Sequence, residues 1–183
     1  MTRRFVLLLL VVSGLHAYIY NDSLLLIYGK IVPRIMLLDH TNTAEKDTRR
    51  LCILYESADR PVAEKLEKMV RQNLPKPLQG SFEVTTASYD EIGLDRKCGD
   101  ATALMLLDAR PDKIAEALKF AKKRRLLTFS YSNTLLQDGT AISLIVGKQI
   151  HPIVNINAVK SAGLKLDPML FQIAKIYNGR SVR

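Results

Sequence analysis

Two apolar runs near the end of the chain, Ala141 to Val146 and Ile150 to Ile156, are joined through Gly147 and Lys148. Runs this short bury themselves by pairing, and a Gly-first two-residue loop predicts an antiparallel hairpin closed by a type II′ turn. Beyond it, Asn155 or Asn157 can cap a short helix that stops at Gly163. Asp167-Pro168 then places a capping side chain and a first-turn proline ahead of a second helix, whose face runs through Leu170, Ile173, Ala174 and Tyr177. A hairpin followed by two short helices cannot make a core alone, so the preceding chain has to supply the sheet that it extends.

That sheet is legible upstream. Leu51 to Tyr55, Phe82 to Ala87, Thr102 to Leu107 and Leu126 to Phe129 read as buried strands. Between them, Asp59-Arg60-Pro61 opens a helix faced by Val62, Leu66, Met69, Val70 and Leu74, which Pro75 and Pro77 end. Pro111 to Arg124 forms another, faced by Ile114, Leu118 and Ala121, while Ser88 to Asp100 reads as a loop or a turn of helix. Strands alternating with helices imply right-handed crossovers. The expected fold is a single α/β domain: a mainly parallel, doubly wound sheet with helices on both faces and the C-terminal antiparallel hairpin. Ahead of it, Asn21, Asp22 and Ser23 offer caps to an amphipathic helix, Leu24 to Leu38, with Leu24, Ile27, Ile31, Ile35 and Leu38 on one face. Pro33 predicts a kink or break at Val32, and His40 to Arg50 is a polar linker.

Met1 to Ala17 has the plan of a secretory signal: Arg3 and Arg4, an apolar run Phe5 to Val12, and an alanine at the boundary. The run is too short for a bilayer, which takes about 20 apolar residues. Cleavage after Ala17 is expected, with a retained anchor as the alternative. The chain then divides into a signal peptide (1–17), an N-terminal helix and linker (18–50), an α/β domain (51–178) and a tail (179–183). Lys and Arg number 27 against 18 Asp and Glu. Without Arg3 and Arg4 the balance is 25 − 18, or +7. These cations are scattered and not interleaved with aromatics, so neither a clustered nucleic-acid face nor a binding motif is visible.

The C-terminal series resembles the end of the YfiR-like family of bacterial periplasmic regulators. Gly139 leads the strand, Val154-Asn155 stands for the family's Ile-Asn, Ala162-Gly163-Leu164 for its small-Gly-Leu step, and Leu170-Phe171-Gln172-Ile173-Ala174 for its last helix. Upstream, Tyr28-Gly29-Lys30-Ile31-Val32 is similar to the family's Lys-Phe-aromatic region, and Leu51-Cys52-Ile53-Leu54-Tyr55 to its first cysteine-bearing strand. Such proteins often carry a second cysteine opening the third strand. Here Cys98 lies several residues ahead of that place, leaving a Cys52–Cys98 bridge and two buried thiols as alternatives. An oxidising compartment favours the bridge.

Little in the chain points to catalysis. His16 falls in the signal, His40 in the linker and His151 before Pro152, none at metal-ligand or triad spacing. No Gly-rich phosphate loop, Gly-x-Ser-x-Gly or framed carboxylate pair occurs, so no catalytic, metal or cofactor site is expected. Ligands of open α/β sheets gather beyond the carboxyl ends of the parallel strands. That rim holds Glu56, Ser57, Asp108, Ser130 and Tyr131 as candidates for a small-molecule site, with Tyr131 able to stack on a flat ligand. The resemblance implies an exported, non-enzymatic regulator that represses an inner-membrane diguanylate cyclase from the periplasm. The alternative is a periplasmic solute-binding protein, for which 166 mature residues (183 − 17) supply one lobe, workable as a homodimer.

Overall fold

The computed structural model describes residues 20–41, 48–90, 93–179 and Val182. The proposed signal, 1–17, lies outside them, as do most of the polar linker and Glu91. In chain order the elements are α1 (Asp22–Met36), β1 (Arg49–Tyr55), α2 (Arg60–Gln72), β2 (Phe82–Ser88), α3 (Leu94–Cys98), β3 (Ala103–Leu106), α4 (Pro111–Arg124) and β4 (Leu127–Ser130). Then come α5 (Leu135–Asp138), β5 (Ile142–Val146), β6 (Ile150–Asn155), α6 (Ile156–Ala162), α7 (Pro168–Ile173) and β7 (Lys175–Tyr177).

The strands form one sheet in the order β2-β1-β3-β4-β5-β6-β7. All neighbours are parallel except β5 and β6, which form the expected antiparallel hairpin. Side chains alternate across a strand, and the two cores follow from that. Leu51, Ile53, Tyr55, Met105, Leu107 and Phe129 turn to the face covered by α1 and α2. Cys52, Leu54, Leu104 and Leu106 turn to the face covered by α3 and α4. The doubly wound expectation holds.

Three details differ from the sequence reading. First, α1 runs unbroken through Pro33. Proline removes one donor from the helix, but Val32, Ile35 and Met36 are buried on both sides of it, and packing of an apolar face carries most helix stability in proteins. Gly29 lets α1 lie directly on α2, since a Cβ there would stand 2.8 Å from Met69 Cβ. Second, the loop is not two residues long: Gly147, Lys148 and Gln149 all lie between the two runs, and the hairpin pairs Val146 with Ile150 across them. Third, α7 stops at Ile173, which is 54% exposed, and Lys175–Tyr177 becomes an edge strand beside β6. Backbone hydrogen bonds to β6 outweigh a helical phase only three residues long. Of the two candidates for the α6 cap it is Asn155 that serves, its Oδ1 accepting from Asn157 and Ala158 N–H; Gly163 is left-handed and Asp167 Oδ1 accepts from Met169 N–H, as read.

Candidate functional site

β1 continues through α2 toward one edge of the sheet and β3 through α4 toward the other. The point where direction reverses leaves a crevice beyond the carboxyl ends of β1 and β3. All five residues read as a rim lie along this end, and a side chain from the segment that leads into α1 lies among them.

Tyr20 lies across the rim. Its hydroxyl donates to Asp59 Oδ2 at 3.1 Å and accepts from Asp108 N–H at 3.1 Å. Its ring packs against Tyr131 with centroids 4.9 Å apart. Asn21 N–H donates to the Tyr131 hydroxyl at 2.8 Å, while Asn21 Oδ1 caps α1 by accepting from Leu24 N–H. The two ring planes are tilted by 57°, so Tyr131 makes a tilted aromatic contact with a ring of its own chain. Glu56 Oε1 accepts from Arg110 N–H at 2.9 Å, joining the loops after β1 and β3. Ser57 Oγ lies 3.3 Å from Ser88 Oγ and 3.4 Å from Asp90 Oδ2. Asp90 also pairs with Arg110 at 3.8 Å and Lys113 at 3.4 Å. Ser130 stands apart: its side chain is buried, and its Oγ meets no partner among the described residues.

A second tyrosine closes the gap between β4 and β5, whose ladder consists of one pair, Phe129 with Ile142. Past that pair the strands part, and the buried Tyr28 hydroxyl enters. It shares its proton between the carbonyls of Ser130 at 2.8 Å and Tyr131 at 3.0 Å, and accepts from Leu144 N–H at 3.3 Å. A side chain from α1 therefore replaces ladder hydrogen bonds. Burial pushes the Tyr28 phenol up to about 12, against the opposing hydrogen bonds with Ser143 and Leu144 and with smaller upward contributions from Tyr131 and Asp108.

Sequence reasoning missed Tyr20, Tyr28 and Asp59. A signal existed for Tyr28: a hydroxyl on the apolar face of a helix needs a partner when buried. Asp59 stands at the start of α2, yet its side chain makes no cap bond and holds Tyr20 instead.

The rim carries unequal carboxylates. Burial, then the charge of Asp59, holds Asp108 up to about 6, against an ordinary 3.8. Burial likewise raises Asp59, with a contribution from Glu56. Between 3.8 and about 6 the folded chain keeps a proton on Asp108 that the unfolded chain has released, so stability rises as pH falls through that window and is lost above it. We expect thermal unfolding to be later at pH 5 than at pH 7 by roughly 1 kcal/mol from this group, after allowing for solvent screening of a half-exposed side chain. Asp108→Asn should remove this contribution; an unchanged pH profile in that variant would refute the assignment.

Cys52, in the middle of β1, and Cys98, at the end of α3, are joined in a disulfide with Cα atoms 5.6 Å apart. Both are fully buried. The bond fixes α3 to the centre of the sheet. Among the described residues, no three His, Cys, Asp or Glu side chains gather as a metal site. No helix there is long and apolar enough to cross a membrane.

The model of the YfiR/HmsC-like family matches residues 38–175, about three quarters of the chain. The chain belongs to that family. Its matched region runs from the end of α1 into β7 and so contains the disulfide, the rim beyond the strands and the hairpin. A search of curated proteins returns no match. Two of the solved structures that share the fold serve as examples. One is a conserved domain protein from Vibrio cholerae (TM-score 0.60, 10% identity), aligned over 83% of this chain and 59% of its own. The other is the ABC domain in complex with L-Trp from Streptococcus pneumonia (TM-score 0.56, 8% identity), aligned over 78% and 58%. The chain therefore spans under two thirds of the length of either. At such identities the likeness concerns the fold of this YfiR/HmsC-like protein alone.

Proposed function

We propose that this YfiR/HmsC-like protein is an exported, non-catalytic regulator that binds the periplasmic region of an inner-membrane diguanylate cyclase and represses it, holding down cyclic-di-GMP signalling. The observation that carries the reading is the family match across residues 38–175. A disulfide buried in the core agrees with an oxidising compartment. A regulator of this kind works by differential affinity: the signal has to weaken the complex by a few kcal/mol to shift its population usefully. The solute-receptor reading has less behind it, because the crevice where a solute would sit holds Tyr20 and its hydrogen bonds.

A pull-down from envelope extract with the tagged protein tests the choice. Retention of a membrane protein bearing a cyclase domain is the expected result. Recovery of transporter permease and ATPase subunits without a cyclase would transfer the protein to the solute-receptor class.

A further inference from the structure

On the face covered by α1, a groove of about 630 Å³ opens between the C-terminal half of that helix, the start of β6 and the turn from α7 into β7. Its walls are Ile31, Ile35 and Leu38 from α1 and Ile150, Pro152 and Ile173 from the C-terminal region. Ile150 remains 41% exposed and Ile173 54%. Clustered exposed apolar residues of this kind mark a site that something covers, and the volume lies in the range of small-ligand pockets.

The polar members of the lining decide what that something is. They are Arg34, His151, Gln172 and Lys175, with no carboxylate among them. Arg34 gives one donor to the Lys30 carbonyl, and a guanidinium has five. We propose that the groove binds a single-chain amphiphile with an anionic head, of the fatty-carboxylate class. The alkyl chain lies along the isoleucines and the carboxylate meets Arg34 and Lys175. A cationic amphiphile would bring like charge to the mouth, and a second copy docked symmetrically on this patch would set its own cations against these. The proposal uses neither the crevice nor the cyclase reading.

Calorimetric titration of the purified protein with octanoate, decanoate and dodecanoate, each below its micelle concentration, tests it. One-to-one binding is expected, tightening about fourfold per added methylene, the affinity equivalent of burying one methylene. Dodecyltrimethylammonium should bind at least tenfold more weakly than dodecanoate. Arg34→Gln with Lys175→Gln, both at the surface, should abolish the preference for dodecanoate over dodecanol while the chain-length dependence stays. Absence of saturable binding, affinity independent of chain length, or equal binding of the cationic amphiphile would overturn the proposal. So would binding to anionic phospholipid vesicles without binding to monomeric dodecanoate, which would assign the patch to a membrane surface.

Discussion

Replacing Tyr28 with phenylalanine is expected to lower the unfolding free energy by about 3 kcal/mol, and the melting temperature by roughly 6–12 °C for a domain of this size. The ring stays and its packing with it, so the loss isolates the hydroxyl. That oxygen serves the carbonyls of Ser130 and Tyr131 and the N–H of Leu144, where β4 and β5 have already parted. Each buried group left without a partner costs about 1–3 kcal/mol. Ser143 Oγ lies 3.0 Å from Ser130 O and softens the effect at one of the three. Tyr131→Phe provides the comparison: among the described residues its hydroxyl receives the Asn21 N–H alone, at a more exposed position, so its loss should be near 1 kcal/mol. Urea denaturation of the two variants checks the ordering. Equal losses would mean that the hydroxyl of Tyr28 does not hold the strands together.

Removing the disulfide should cost still more. Cys52 and Cys98 are 46 residues apart in sequence, and closing a loop of that length restricts the unfolded chain by about 4 kcal/mol in the chain-entropy account. The Cys52→Ala, Cys98→Ala double variant should therefore unfold at a clearly lower urea concentration than the oxidised protein. Because the effect arises mainly in the unfolded state, the native fold should persist under mild conditions. Reduction of the wild type should approach the same midpoint, slowly, because both sulfurs are buried and a reductant reaches them through opening of the fold. A midpoint shifted by less than the equivalent of 1 kcal/mol would show that the bond constrains little.

Much of this architecture can be read from the sequence, for identifiable reasons. The strands are short apolar runs separated by helices with proline at or near their starts, as in Pro111–Arg124, whose bounds agree with the reading residue for residue. The caps of α6 and α7 are local side-chain chemistry, so neighbouring residues alone point to Asp167 and narrow the other cap to Asn155 or Asn157. What resisted reading depends on distant partners. Lys175–Tyr177 is a strand only because β6 lies beside it. Pro33 leaves α1 whole because the helix is pressed onto α2 and the sheet. Asp108 and Tyr131 are legible as rim residues at strand ends, but Tyr20 reaches them from 88 and 111 positions away in sequence. No spacing rule shows that the chain supplies an aromatic ring to its own crevice.

The central claim, repression of a cyclase from the periplasmic side, is tested most directly by reconstitution. The full-length membrane cyclase from the same cell would be placed in lipid nanodiscs and its rate of cyclic-di-GMP formation followed while the purified oxidised protein is added. The account predicts a saturable fall in rate whose midpoint coincides with the binding constant for the two proteins. An unchanged rate at concentrations where binding is complete, or no binding at all, would contradict it.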